Sequence, residues 1–181
     1  MPALIHQYRL ECRLPVGYTS AWAGGAEEMA VSEKDPFRIF VTHTFEDNED
    51  YQRVFEYLES RDNFFYMAFS NPANIPGAGG PEAIKEELRN QINPAEVVIM
   101  PVALYDKNRD LIGFQMDVAQ AFNKPIVAIQ SFGETVTIEK KIIDRCNEMI
   151  DWNDRTIIEA IRRQARNEDT TQWETIEFTL D

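Results

Sequence analysis

Short apolar runs alternate with amphipathic segments along most of the chain. In the amphipathic segments apolar residues recur three or four positions apart, which is the spacing of a helix with one buried face. Near-continuous apolar strands that alternate with such helices predict an α/β fold with a parallel sheet covered on both faces. The predicted strands are 37–42, 63–69, 96–104, 124–129 and a short edge strand at 149–152, and the apolar stripes of the predicted helices span 51–58, 84–92, 112–119, 138–149 and 157–165.

Residues that start or stop these elements support the alternation. Pro81 suits the first turn of the helix that follows it. Pro101 cannot donate to a ladder, so the third strand is expected to bulge or end there. Asn153 or Asp154 is expected to cap the last helix.

The two ends of the chain differ from its centre. Residues 1–36 alternate loosely and contain several glycines, and we interpret them either as an N-terminal extension that packs on the domain or on a partner, or as an unstructured leader. Residues 168–181 alternate weakly and form a C-terminal tail that could add a strand, which leaves 37–167 as the predicted domain. Both ends are candidates for a contact between copies of the chain, so a homo-oligomer is a possible assembly.

Composition narrows the possible partners. The net charge of −13 makes the chain a poor binder of nucleic acid, because the protein as a whole does not neutralise phosphates. No apolar run approaches the roughly 18 residues that a membrane span needs. The N-terminus lacks the apolar core of a signal peptide, and Cys12 and Cys146 are far apart, which together predict a cytoplasmic protein. With only His6 and His43, no multi-histidine metal site is expected.

The alternation also predicts where a ligand binds. In open parallel sheets, ligands lie beyond the carboxyl ends of the strands, where the strand order switches. This rule selects the loops 42–50, 70–80 and 105–115. In the first loop His43 is placed to donate a hydrogen bond to a sugar or phosphate, or to fix its own loop. In the second, the glycine-rich run 75–81 precedes a helix, where backbone N–H groups can approach an anion.

A series of short motifs runs along the chain in a fixed order. They are Phe-Arg-Ile-Phe-Val-Thr-His at 37–43, Asp50-Tyr51 with Leu58, Glu-Val-Val-Ile-Met at 96–100, Tyr105, Phe-Gln-Met-Asp-Val-Ala at 114–119, Asn-Lys-Pro-Ile-Val-Ala-Ile at 123–129, and Asp-Trp-Asn at 151–153 before 157–162. Together they resemble TIR domains, and the ending resembles the TIR-like subgroup of the bacterial Thoeris antiphage system. The resemblance covers residues 37–166 and implies a flavodoxin-like three-layer sandwich with about five parallel strands.

The resemblance implies an activity. Members of this subgroup resemble enzymes that cleave NAD, release nicotinamide and make a cyclic or conjugated ADP-ribose signal. The resemblance further implies that the diffusible signal activates a separate effector and that a phage-derived trigger starts the reaction. Cleavage develops oxocarbenium-like charge on the ribose, which a nearby carboxylate stabilises. NAD would be a substrate, and no metal is expected.

At one position the chain departs from the family. The catalytic glutamate of the family corresponds to Gln115, which is nearly isosteric but carries no charge. Asp117 is a poor replacement, because two positions along a helix rotate a side chain by about 200°. Two explanations stay open: an engineered exchange that traps a nucleotide without cleaving it, or a naturally inactive domain that binds or assembles.

The resemblance and the switch-point rule assign further residues to the site. Phe114 either stacks on a nicotinamide or adenine ring or packs its own helix. Tyr105 could line the same pocket, and Asn71 and Asn74 lie on a loop that in TIR domains borders the site and contacts neighbouring subunits. The remaining nucleotide-binding candidates are Thr42, Thr44, Phe45, Ile75 and Gly77.

Two other protein classes share this alternation of elements. A response-regulator receiver would need a lysine after the fourth strand, where this chain has Gln-Ser-Phe-Gly at 130–133. A nucleoside deoxyribosyltransferase-like enzyme also cleaves N-glycosidic bonds, but it would need a carboxylate nucleophile. The two leading hypotheses are therefore a TIR-like NAD-cleaving enzyme and a non-catalytic TIR-like module, which the residue at position 115 separates.

Overall fold

A five-stranded parallel sheet with helices on both faces forms the fold, as the alternation predicts. The computed structural model describes residues 35–133 and 139–170. The strand order is β2-β1-β3-β4-β5, and all neighbouring strands are parallel. The order reverses at β1 and β3, whose carboxyl ends therefore flank the switch point. The strands are β1 (Phe37–Val41), β2 (Tyr66–Ala68), β3 (Val97–Pro101), β4 (Ile126–Ile129) and β5 (Glu148–Ile150).

Within the described residues, six helices connect the strands or follow the last one. Those that cover one face of the sheet are α1 and α6, and those that cover the other are α2 to α5. Successive residues of β1 separate onto the two faces, since Ile39 and Val41 enter the first cluster and Phe40 enters the second. The helices are α1 (Glu49–Glu59), α2 (Gly80–Ile92), α3 (Val102–Lys107), α4 (Arg109–Ala121), α5 (Lys140–Ile143) and α6 (Asp154–Arg166).

Most of the predicted N-terminal extension and C-terminal tail lies outside the residues that the structure describes. The extension is described only at residues 35–36 and the tail only up to Thr170, so the added strand predicted in the tail lies outside the described residues. Within the described ranges, no helix is both long enough and apolar enough to cross a bilayer.

The third strand is shorter than predicted, and this removes a predicted loop. The strand ends at Pro101, and α3 begins at Val102 rather than after Leu104. A second helix, α4, follows at once, because the side chain of Asn108 accepts a hydrogen bond from Leu111 N–H and caps it. The prediction of a ligand loop over 105–115 is therefore wrong, since these residues are almost entirely helical.

The helix predicted from the stripe 138–149 is also wrong in extent. Among the described residues of this stretch only Lys140–Ile143 (α5) is helical, and Met149 lies in β5, while Ile138 lies outside the described residues. Ile142, Cys146 and Met149 still pack against the same apolar cluster, so their spacing reports a shared face and not a shared helix. Asn147 ends the turn between them by exchanging hydrogen bonds with the backbone of Ile126.

The N-terminus of α6 depends on one side chain. Asn153, not Asp154, is the cap, and its Oδ1 accepts hydrogen bonds from Thr156 N–H at 3.1 Å and Thr156 Oγ1 at 3.3 Å. We expect Asn153→Ala to lower the free energy of unfolding by about 1 kcal/mol, because it leaves a first-turn N–H without its acceptor. Urea unfolding measures the change, and Asn153→Ser, which keeps an acceptor, should recover most of it. An equal loss in both variants would contradict the assignment.

Candidate functional site

Gln115 pairs with the backbone at the carboxyl end of β1. Its Nε2 donates to His43 O at 2.8 Å, and its Oε1 accepts from His43 N–H at 3.0 Å. A weaker bond joins Nε2 to Leu111 O at 3.3 Å. The side chain is completely buried, because position 115 falls in the same stripe of α4 as Ile112 and Met116. The amide therefore acts as a peptide group would in a sheet, satisfying both polar groups of one residue.

Asp117 points away from this pairing, as its place on the helix predicts. Its side chain is 70% exposed, and its Oδ1 accepts from Arg145 Nη2 at 2.5 Å. Asp117 therefore cannot take the place of Gln115 without unwinding α4.

The ring of His43 is enclosed by aromatic side chains and one amide. Ring centroids lie 4.7 Å away at Phe45, 5.7 Å at Phe40 and 6.1 Å at Tyr51. His43 Nε2 lies 3.0 Å from Gln91 Oε1, while Nδ1 has no hydrogen-bond partner although the residue is only 1% exposed. A buried nitrogen without a partner costs free energy, so it marks a place where the protein favours another polar group.

The backbone of Phe45 is held in an unusual conformation beside this ring. Its φ is 61°, in the left-handed region that bulky residues rarely adopt. Such a conformation typically costs about 1–3 kcal/mol and persists only where neighbouring contacts hold it. The edge-on packing of Phe45 against His43 is one such contact, so the loop after β1 stores strain directly over the candidate site.

Gln91 was not predicted, yet it connects most of the site. Besides His43 it binds the backbone of Asn71 through both amide atoms, and its Nε2 donates to Glu87 Oε1 at 2.8 Å. Glu87 also accepts from Asn74 Nδ2 at 2.7 Å, which ties the loop after β2 to α2. The sequence held one signal, since Gln91 is a polar residue in the buried stripe of this helix.

The hydrogen bonds of His43, Gln91 and Gln115 form one network. The other predicted residues lie either next to this network or on the surrounding surface. Thr42 is buried with Oγ1 unpartnered, and Thr44 is half-buried. Ile75 is 56% exposed, and Gly77 is exposed with open space where a Cβ would lie, so both belong to the surface of the loop.

The two aromatic residues predicted to line the pocket both pack in the second apolar cluster. Tyr105 is 7% exposed there, beneath Arg109 and Lys141. Phe114 packs at the edge of the same cluster, and the guanidinium of Arg89 lies 5.4 Å from its ring. The packing alternative offered for Phe114 therefore describes its present contacts.

An open groove lies at the same edge of the sheet but does not include the network. Its volume is about 480 Å³, and neither His43 nor Gln115 lines it. A ligand that reaches these residues must therefore displace part of their cover. The groove is lined by Glu49, Asp50, Arg53, Ala103, Asp106, Lys107, Ser131 and Phe132.

The described ranges contain neither a cluster of metal ligands nor a reactive thiol. No group of three His, Cys, Asp or Glu side chains is arranged there to hold a metal ion. Burial raises the pKa of the Cys146 thiol to about 11, so this thiol is protonated at neutral pH.

His43 is neutral at pH 7 in the folded chain. Burial lowers its pKa below the ordinary value of 6.5, and the hydrogen bond to Gln91 and the charge of Glu87 offset only part of that effect.

The folded chain is therefore expected to lose stability as the pH falls below about 6.5. The unfolded chain takes up a proton on this ring and the folded chain does not, which gives a slope of at most about 1.4 kcal/mol per pH unit. The loss ends where the pH reaches the lowered pKa of the folded ring. Urea unfolding between about pH 5 and pH 7 measures it. His43→Gln should remove the slope and His6→Gln should keep it, and the reverse pattern would contradict the assignment.

The sequence matches the profile of a known protein family. The sequence profile of the family described as Thoeris protein ThsB, TIR-like domain, matches residues 40–136. This is more than half of the 181 residues. The chain belongs to the Thoeris ThsB TIR-like domain family. No curated protein matches the chain.

The ThsB TIR-like match supports a role in antiphage defence. It begins within β1 and extends beyond β4, so it includes both His43 and Gln115. The all-parallel five-stranded sheet agrees with the flavodoxin-like TIR fold that the sequence motifs imply.

Proposed function

We propose that this chain binds NAD in antiphage defence. Its site is the one at which the active form of the domain cleaves the nicotinamide–ribose bond. In this proposal the active form makes a cyclic or conjugated ADP-ribose signal that activates a separate effector. The observation that carries it is the place of position 115, which lies beside the carboxyl end of β1 at the switch point of the sheet. Ligands of parallel sheets bind at this point.

The chemistry explains why the residue at position 115 decides the outcome. Loss of nicotinamide leaves positive charge on the ribose, and an ionised carboxylate nearby stabilises that charge. Gln115 offers an amide, which carries no charge and cannot act as a base. With glutamine at this position the chain is expected to bind the nucleotide and leave it intact.

A second candidate, a non-catalytic binding or assembly module, is favoured by one observation. The two bonds between Gln115 and His43 need a donor and an acceptor on the same side chain, which an amide supplies and an ionised carboxylate does not. The local structure is thus complete with glutamine. In this candidate the domain acts by contact with a partner or with further copies of itself.

NAD consumption by the unchanged chain and by Gln115→Glu separates the two candidates. Gln120→Glu is the matched control, because it makes the same chemical change on the exposed side of α4. Each protein is incubated with NAD, with and without an extract of phage-infected cells, and the products are separated by chromatography. Release of nicotinamide by Gln115→Glu alone supports the enzymatic proposal. Intact NAD in every sample, with all three proteins folded, would overturn it in favour of the module.

A further inference from the structure

The amide of Gln91 has only one orientation that its neighbours accept. Its Nε2 lies 2.8 Å from Glu87 Oε1 and 3.3 Å from Asn71 O, and both of these atoms are acceptors. Its Oε1 lies 2.9 Å from the nitrogen of Asn71, which can only donate. A flipped amide would place like groups against each other at all three contacts, so Oε1 faces His43.

This orientation fixes the position of the proton on His43. Gln91 Oε1 carries no hydrogen, so the 3.0 Å contact requires that His43 Nε2 donates. A neutral imidazole has a single N–H, and Nδ1 must therefore carry a bare lone pair. Nδ1 is the atom that has no hydrogen-bond partner in the buried site.

We propose that Gln91 is a positioning residue that holds His43 as the Nε2–H tautomer, so that His43 Nδ1 accepts a hydrogen bond from a sugar hydroxyl of the nucleotide. The assignment of the hydroxyl to a nucleotide rests on the proposed function. The sequence suggested that His43 could donate to a sugar or a phosphate. In this tautomer the ring has no proton left to donate, and phosphate oxygens at neutral pH only accept. The site therefore selects a hydroxyl over a phosphate at this atom.

The loop after β2 takes part in this selection. Asn71 contributes its backbone N–H and C=O to Gln91, and Asn74 holds Glu87, which in turn holds Gln91. The loop conformation and the His43 tautomer are thus parts of one hydrogen-bond network. A rearrangement of the loop that releases Gln91 also releases the proton on His43 from its fixed position.

Nitrogen NMR of the full chain with ¹⁵N-labelled histidine reads the tautomer directly. The sequence has two histidines, so His6→Gln assigns the signals. We expect His43 Nε2 to be protonated and Nδ1 to be unprotonated at neutral pH. Gln91→Met, which keeps the length but removes both polar atoms, should give a mixture of tautomers. The exposed Asn90→Met is the matched control and should leave the signals unchanged.

Two results would overturn the positioning role. One is a protonated Nδ1 of His43 in the unchanged chain, a measurement that needs no folded variant at Gln91. The other is a folded Gln91→Met protein whose His43 signals match those of the unchanged chain. Neither result depends on NAD, so the positioning role can fail or hold independently of the proposed function.

Titration with NAD tests the hydroxyl partner, and inorganic pyrophosphate is the control that lacks a hydroxyl. NAD should move the Nδ1 signal while Nε2 keeps its proton, and pyrophosphate should leave Nδ1 unmoved. Gln91→Met should weaken NAD binding about tenfold, the usual effect of one hydrogen bond. A shift of Nδ1 by pyrophosphate, or NAD binding that leaves Nδ1 unmoved, overturns the hydroxyl assignment. A chain with the expected tautomer that fails to bind NAD overturns the proposed function and retains the positioning role of Gln91.

Discussion

Gln115→Glu is expected to lower the free energy of unfolding by about 3 kcal/mol at pH 7. The change replaces the Nε2 donor with a carboxylate oxygen, which then faces His43 O, 2.8 Å from the present nitrogen, and Leu111 O, 3.3 Å from it. Both neighbours are acceptors, and the site is completely buried. An ionised side chain there loses its hydrogen bonds and its hydration together.

The cost should disappear on acidification, which gives the prediction its pH signature. A protonated carboxyl has one O–H, which can donate to His43 O as the amide does, while its other oxygen accepts from His43 N–H. The folded state thus favours the protonated form, and the pKa of the introduced carboxyl rises above its ordinary range near 4.3. A group with a raised folded pKa binds more protons when folded, so stability falls as the pH rises from about 4.3 through the folded pKa.

Urea unfolding of the unchanged chain and of Gln115→Glu at a series of pH values measures this difference. Gln120→Glu should change stability by less than about 0.5 kcal/mol, because its side chain is exposed and near Arg145. A Gln115→Glu protein as stable as the unchanged chain at pH 7 would contradict the prediction. Such a result would mean that the introduced carboxylate turns away from the acceptors at His43 and Leu111.

The strained backbone of Phe45 lies beside His43, where that movement of the introduced carboxylate would take place. The loop after β1 covers His43, and its left-handed residue already costs free energy in the closed form. A ligand that moved Phe45 into an ordinary backbone conformation would recover part of that cost and would expose the unpartnered Nδ1 of His43. The buried network around His43 and the adjacent open groove are therefore compatible with a single site, which the loop after β1 would open when a ligand binds.

The fold could be predicted from the sequence because its signal is local. The apolar runs in β3 and β4 are buried on both faces, and β1 is buried except at the exposed Arg38, so they read as strands whatever packs against them. The stripe that ends in Met149 misled the prediction because a short helix, a turn and a strand can present residues to one cluster at helical spacing. Periodicity reports which residues share a face, and only the backbone hydrogen bonds decide the element.

The site could be predicted only in part, because its decisive contacts join distant residues. His43 and Gln115 were predicted from strand order and motif order, and each lies at the carboxyl edge in the structure. Their direct pairing follows from the depth at which α4 packs, which no local pattern encodes. Gln91 was missed because its partners lie on another helix turn, another loop and another strand end.

Arg166→Leu is expected to lower the free energy of unfolding by about 2 kcal/mol, because it leaves Glu96 without its main partner. Arg166 Nε and Nη2 each lie 3.1 Å from an oxygen of Glu96, in a bidentate pair whose side chains are only 21% and 17% exposed. The same guanidinium donates to Pro36 O and lies 4.0 Å from the ring of Phe37. It therefore joins the end of α6 to the starts of β1 and β3.

Stability measured at acid pH distinguishes the ion pair between Arg166 and Glu96 from packing of the Arg166 side chain alone. Burial alone would raise the pKa of Glu96, but hydrogen bonds from Arg166 and from Arg38 outweigh it and hold the pKa below 4.5. A carboxyl with a lowered folded pKa adds stability above about pH 4.5 that is lost as the pH falls through the folded value. In Arg166→Leu the part of that contribution that comes from Arg166 is gone while the bonds from Arg38 remain, so the difference between the two proteins should shrink below about pH 4.

Unfolding of both proteins by urea across this pH range measures the difference, and Arg155→Leu is the matched control. Arg155 lies on the same helix and pairs with Glu159 at 2.8 Å, but its side chain is 53% exposed. A pair four residues apart on one helix, here with an exposed arginine and a glutamate that is 15% exposed, contributes about 0.3–0.5 kcal/mol, so the control should lose less stability. Adding Glu96→Gln to Arg166→Leu should recover part of the loss at pH 7, because it removes the charge that has lost its partner. A loss that is equal at all pH values and unaffected by Glu96→Gln would instead assign the effect of Arg166 to its packing on Phe37.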